Sequence, residues 1–87
     1  MRFRWNAWNI DHATRHHVGI REAEAIVARA RSPYPEYRGD EKWRVVGRGA
    51  GGRLVQVVYL IDVDGAAYII HARDLTDKEK RRHRKRE

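Results

Sequence analysis

WRVVGRGAGGRLVQVVYLIDVDGAAYIIHAR, residues 43–73, decides the fold. Three strand-like runs, Trp43–Arg48, Leu54–Asp62 and Ala66–Arg73, are separated by the glycine-rich stretch Gly49–Gly52 and by Val63-Asp64-Gly65. Asp-Gly suits a tight hairpin, because glycine takes positive φ without steric cost, so the three runs are expected to form an antiparallel meander. Leu54–Ile61 is apolar at nearly every position, which makes it the central strand, paired on both sides. Gly49–Gly52 lacks the Lys-Ser or Lys-Thr and the following helix of a phosphate loop, and reads as a hairpin connection.

Working outward, Ser32-Pro33-Tyr34-Pro35 breaks the chain upstream, since proline removes a backbone donor and pushes its predecessor out of the helical region. A loop to about Glu41 follows from it. Before the prolines, Ile20, Ala23, Ile26, Val27 and Ala30 recur at three and four and make one apolar stripe of a helix. Asn6 offers the cap for an earlier helix running to about His17 and ended by Gly19, and Arg2–Trp5 is a short strand candidate. Downstream, Thr76-Asp77-Lys78-Glu79 has the form of a capping box and predicts that the basic C-terminal end starts as a helix. Two N-terminal helices, an antiparallel sheet of three to four strands and a basic terminal helix make an α+β fold, and 87 residues make one domain, 1–87.

The net charge of +7 is unevenly placed: residues 78–87 hold seven basic and two acidic side chains, so they carry +5 of it. Such a segment attracts phosphate backbones, and equally an anionic surface or an acidic partner. The chain has no cysteine, so disulfides and thiolate chemistry are excluded, and no apolar run approaches the roughly 20 residues that cross a bilayer. The first residues, MRFRWNAWNID, lack the apolar centre of a secretory signal, and a cytoplasmic protein is expected. Of Trp5, Trp8 and Trp43, at least two are expected in the core.

Two stretches carry a resemblance. FRWNAWNIDHATRHHVGIREAEAIV near the start and IIHARDLTDKEKRRH near the end resemble the opening and closing signatures of the BrnT-like toxins, ribonucleases of type II toxin-antitoxin systems with a RelE-like fold. The resemblance implies an endoribonuclease toxin and puts catalytic parts on Arg73, Glu79 and His16, with His83 where the family usually has tyrosine. His17 stands where it usually has glycine, and Tyr68 where it often has arginine. The partners implied are RNA and a cognate antitoxin protein, assembled as a homodimer or a toxin–antitoxin hetero-oligomer, with no membrane.

The chemistry of the reaction, taken without the resemblance, points to Arg73, Glu79 and His83 as well, though not to His16. Metal-independent RNA cleavage makes the 2′-hydroxyl a nucleophile, so a base must take its proton, cations must stabilise the phosphorane, and an acid should protonate the leaving 5′ oxygen. Arg73 lies just past the last strand, and positions 79, 82, 83 and 86 share one face of the helix that follows. Glu79 as base, His83 as acid and Arg73 with Arg82 as phosphate clamps meet these demands without a cofactor. Lys80, Arg81, Arg82, Arg84, Lys85 and Arg44 are the expected RNA-binding cations. Glu79 has a second reading, as the closing member of the capping box. His12 and His16 sit four apart, but no cysteine or carboxylate pattern completes a metal site, and none is expected; read from the residues alone, His16 is instead a partly buried hydrogen-bonding side chain at the end of its helix. The other function class is a non-catalytic module that uses the basic helix to bind nucleic acid or an acidic protein.

Overall fold

The computed structural model describes residues 1–86; Glu87, and the side chain of Arg86 assigned above to the Glu79 face, lie outside the described residues. In chain order the elements are α1 (Ala7–Thr14), α2 (Ile20–Ala28), β1 (Glu36–Tyr37), β2 (Lys42–Arg48), β3 (Leu54–Ile61), β4 (Ala67–Asp74) and α3 (Asp77–Arg86), with a short 3-10 turn at Ala50–Gly52. The architecture is α+β. The four strands form one antiparallel sheet in the order β1-β2-β3-β4, so Leu54–Ile61 is a central strand, as its apolar run requires.

The sheet has one irregularity. Val58 pairs with His71 and Tyr59 with Ile69, so a bulge at Ile70–His71 shifts the register of β4. Beyond β4, Phe3 forms a single parallel bridge to Ala67, closed by the Arg4 N–H to Ala67 carbonyl and the Ala67 N–H to Arg2 carbonyl bonds, both 2.9 Å. The expected strand Arg2–Trp5 thus contracts to one bridge.

α1 packs on β4 and α2 on β2 and β3, covering one face of the sheet. Under them lies the main core, with Val45, Val55, Val57, Tyr59, Ala67, Ile69 and Ala72 from the strands meeting Ala13, Val18, Ala23, Ile26 and Val27. The apolar stripe of α2 is what builds this contact. One polar side chain enters it: Asn9 is fully buried, its amide donating to the carbonyls of Arg4 and Ile69 at 3.0 and 2.9 Å while its oxygen accepts from the Asn6 N–H at 2.6 Å. Every donor and acceptor of that amide is satisfied, so α1 is pinned to β4 without an orphaned polar group.

Glu22 ties α2 to the β2–β3 connection. Its carboxylate accepts from the backbone N–H of Gly19 at 3.2 Å and of Ala50 at 2.6 Å, and from the Arg53 guanidinium at 2.9 Å. A Cβ at position 49 would collide with this carboxylate, which accounts for glycine there.

Several expectations need correction. α1 ends at Thr14, not near His17, because the chain turns at His17 with φ +67° and the His17 N–H bonds back to the Thr14 carbonyl at 3.1 Å. Gly19 does not end that helix; in extended conformation it caps α2 instead. The loop predicted to Glu41 contains β1. None of the three tryptophans is buried: Trp8 is 51% exposed, and Trp5 and Trp43 are half-buried at the margin of the core. Trp5 shows why, since its indole N–H reaches out to Glu24 at 2.8 Å, a partner a small aliphatic core does not offer.

Candidate phosphate-binding cleft

The opposite face of the sheet is not covered by α1 and α2. There a cleft of about 510 Å³ is lined by Arg38, Lys42, Arg44 and Val46 from β2 and the chain before it, by Gln56 and Val58 of β3, and by Ile70, His71 and Arg73 of β4. Tyr34, Leu75, Glu79, Arg82 and His83 complete it. Side chains two apart on a strand share a face, which is how Arg44 and Val46, or Gln56 and Val58, come to point the same way. Val46, Leu54 and Leu75 form a small second apolar cluster on which Tyr34 packs, and it supports the start of α3.

Among the described residues, five cationic side chains of this lining stand against a single carboxylate, Glu79. Two of the guanidiniums are fixed. Arg44 donates to Gln56 at 2.8 Å and to Glu36 at 2.6 Å. Arg73 grips Glu79 with two parallel bonds of 2.7 and 2.9 Å, a planar fork matched to a carboxylate. The same carboxylate accepts from the Thr76 N–H at 2.8 Å, while the Glu79 N–H donates to the Thr76 hydroxyl at 3.2 Å, so the capping box is closed as its sequence implies. The Arg73 bonds first, and the Thr76 backbone next, hold the Glu79 carboxyl down to about 2. Glu79 likewise raises the Arg73 guanidinium above its ordinary value.

On the other wall Tyr34 and His83 meet, with the hydroxyl 3.4 Å from Nδ1 and the rings nearly parallel at 6.3 Å between centroids. Along β4 the His71 ring lies edge-on to His16, 5.6 Å between centroids. Burial pushes the His71 imidazole below the ordinary histidine value, and Arg73 and then His16 push it in the same direction.

Of the residues singled out from sequence, Arg73, Glu79, His83, Arg82 and Arg44 come together in the cleft. His16 does not line it. It is exposed, beyond the end of α1 rather than part-buried at a helix terminus, and belongs to a shallower hollow with Arg15, His17 and Thr76 that reaches Arg73 from the other side. Lys80 lies 4.0 Å from Asp77, and Arg81, Arg84 and Lys85 are exposed on parts of α3 turned away from the lining. His12 stacks on Trp8 at 3.7 Å and donates from Nδ1 to the Trp8 carbonyl at 2.7 Å, so His12 and His16 do not face a common point. Among the described residues, no group of three or more potential ligands gathers in a way that could hold a metal ion.

Tyr34, Arg38, Lys42 and His71 are lining residues that sequence reasoning passed over. Only His71 had a local signal, two places before Arg73 on a strand. No family model matches the chain, and neither a curated protein nor a solved structure matches it.

Proposed function

We propose that this protein is a metal-independent endoribonuclease of the toxin type, binding RNA on the open face of the sheet and cleaving it by attack of the 2′-hydroxyl on the adjacent phosphate. The observation that carries the reading is the meeting, in one cleft, of Arg44, Arg73 and Arg82 with the Tyr34–His83 pair. The guanidiniums suit the charge that grows on the phosphorane, and fixed ones need no reorganisation when it forms. His83 offers an imidazole that can pass a proton to the leaving oxygen, and the Tyr34 hydroxyl meets its ring at Nδ1. Glu79 holds Arg73 and the start of α3; to act as a base it would first have to give up the bonds from Arg73 and Thr76. Toxin action and control by an antitoxin protein covering the basic face rest on the resemblance of the first and last stretches to the BrnT-like toxins.

That engagement of Glu79 is the one observation favouring the other class, a module that binds RNA without cutting it. Induced expression in bacteria, with growth and RNA integrity followed together, separates the two, alongside purified protein on RNA in the presence of EDTA. The expected outcome is growth arrest with RNA cleavage, reduced about 10²- to 10³-fold by Arg73→Ala in a protein that stays folded. RNA binding with intact RNA gives the protein to the module class.

A further inference from the structure

We infer that His71 is the proton acceptor of this cleft, taking the 2′-hydroxyl proton as His83 gives one to the leaving 5′ oxygen; the inference rests on the ribonuclease reading. Geometry singles it out. His71 stands on the β4 bulge, where the extra residue turns a side chain away from the regular alternation, and bulges of this kind recur beside active sites. It lines the same cleft as Arg73, Arg82 and His83, and its ring is held edge-on against His16. Glu79, the one carboxylate lining the cleft among the described residues, has both oxygens engaged by Arg73 and one of them also by Thr76.

The groups around His71 favour its neutral form. Arg73 on its own strand and His16 beyond α1 both lower its proton affinity, after burial itself. Facing the same cleft are Arg38, Lys42 and Arg44 from the β1–β2 side, Tyr34 from the proline segment, and Glu79, Arg82 and His83 from α3. The cations outnumber the single carboxylate, which is already neutralised by its own arginine. A neutral imidazole in that setting keeps a ring-nitrogen lone pair able to take a proton.

The step balances without a further reactant. The 2′ oxygen forms a bond to phosphorus as its proton passes to a His71 ring nitrogen, and the bond from phosphorus to the 5′ oxygen breaks as that oxygen takes a proton from the His83 imidazolium. The products are a 2′,3′-cyclic phosphate and a 5′-hydroxyl. His71 ends protonated and His83 neutral, and exchange with solvent resets both.

The test is kcat/KM against pH for the purified full-length protein on a single-stranded RNA oligonucleotide of mixed sequence, with EDTA present. Wild type should give a bell whose rising limb belongs to His71. His71→Gln should lose that limb and about 10²- to 10⁴-fold in rate, the range for a positioned base. His16→Ala should move the rising limb to higher pH, because it removes one of the neighbours that lower the His71 proton affinity. A merely structural His71 would not respond in that way. His71→Gln with the parent's rate and rising limb overturns the inference, and His71→Asn with the parent's rate and limb does the same should the glutamine variant fail to fold. Loss of the limb in Glu79→Gln but not in His71→Gln gives the base role to Glu79 and leaves the ribonuclease reading standing. A wild type that cleaves no RNA overturns both.

Discussion

The two faces of the sheet are built from the same three long strands and have opposite chemistry. Under α1 and α2 every strand residue of the main core is aliphatic or aromatic, and Val45, Val55, Val57, Ile69 and Ala72 are completely closed to solvent. On the cleft face the alternating positions carry Arg44, Gln56 and Arg73 beside Val58 and Ile70, with apolar Val46, Leu54 and Leu75 clustered at one end. A period of two lets one strand serve both surfaces. Stability is concentrated on the covered face and charge on the open one, so damage to each should be separable.

Ile69→Ala probes the covered face and carries the largest expected effect. Ile69 is fully buried, and its carbonyl is one of the two that hold the Asn9 amide. Truncating a buried isoleucine removes its transfer energy and leaves a cavity, at a cost of about 2–5 kcal/mol. Against a domain stability of about 5–15 kcal/mol this leaves a protein near its folding limit. Urea denaturation should show the midpoint fall sharply, whereas Arg73→Ala should cost no more than the roughly 1–2 kcal/mol of its pair with Glu79 while cutting activity far more. Comparable destabilisation by the two substitutions would break the division between the faces.

How much of this was legible in the sequence divides along similar lines. The central strand, the Asp-Gly hairpin, the α2 stripe and the Thr76–Glu79 box are local patterns, each written within about ten residues, and each is found where it was expected. The partners of the cleft are not local. Tyr34 meets His83 across 49 positions of sequence, and Arg44 reaches Gln56 only through the β2–β3 register. The bulge that sets the place of His71 leaves no mark in a run of apolar residues such as AAYIIHA. β1 is two residues long and has no periodicity to read, so in sequence it looks like loop. α1 stops two residues before His16, and nothing in the sequence marks that end, since the φ of His17 is a backbone property that a histidine does not announce.

Glu79 sharpens the comparison because it belongs to the open face yet contributes to stability. Its carboxyl, ordinarily near 4.5, is held at about 2 in the folded protein. A depressed carboxylate stabilises the fold fully above its unfolded value and loses that contribution as pH falls towards the folded value. The window is therefore about pH 4.5 down to about 2. The Arg73 and Glu79 side chains are 30% and 24% exposed, and solvent screening reduces the contribution to about 1–2 kcal/mol. Glu79→Gln keeps an acceptor for the Thr76 N–H but has no charge to lose, so its stability should fall less steeply across that window than the parent's. Denaturation midpoints measured from neutral pH into acid check this. Parallel acid limbs would mean that the Arg73–Glu79 pair adds nothing to folding and exists only to position the arginine.

The smallest expected effect lies where the covered face meets the open one, at the turn after α1. His17 takes φ +67°, in the left-handed region that glycine occupies freely and that costs other L-residues about 1–2 kcal/mol. Its side chain is exposed, so little packing offsets that strain. Glycine relieves it but gains freedom in the unfolded chain, which takes back part of the benefit. His17→Gly should therefore stabilise the protein by about 0.5–1 kcal/mol, seen as a modest rise in melting temperature. His16, Arg73 and Thr76 line the same hollow as His17, so a turn held mainly by its backbone should leave the His71 titration where it was. A fall in stability would show that the His17 ring makes up for its own strain, and that this corner is held by side-chain contacts and not by the backbone bond to Thr14 alone.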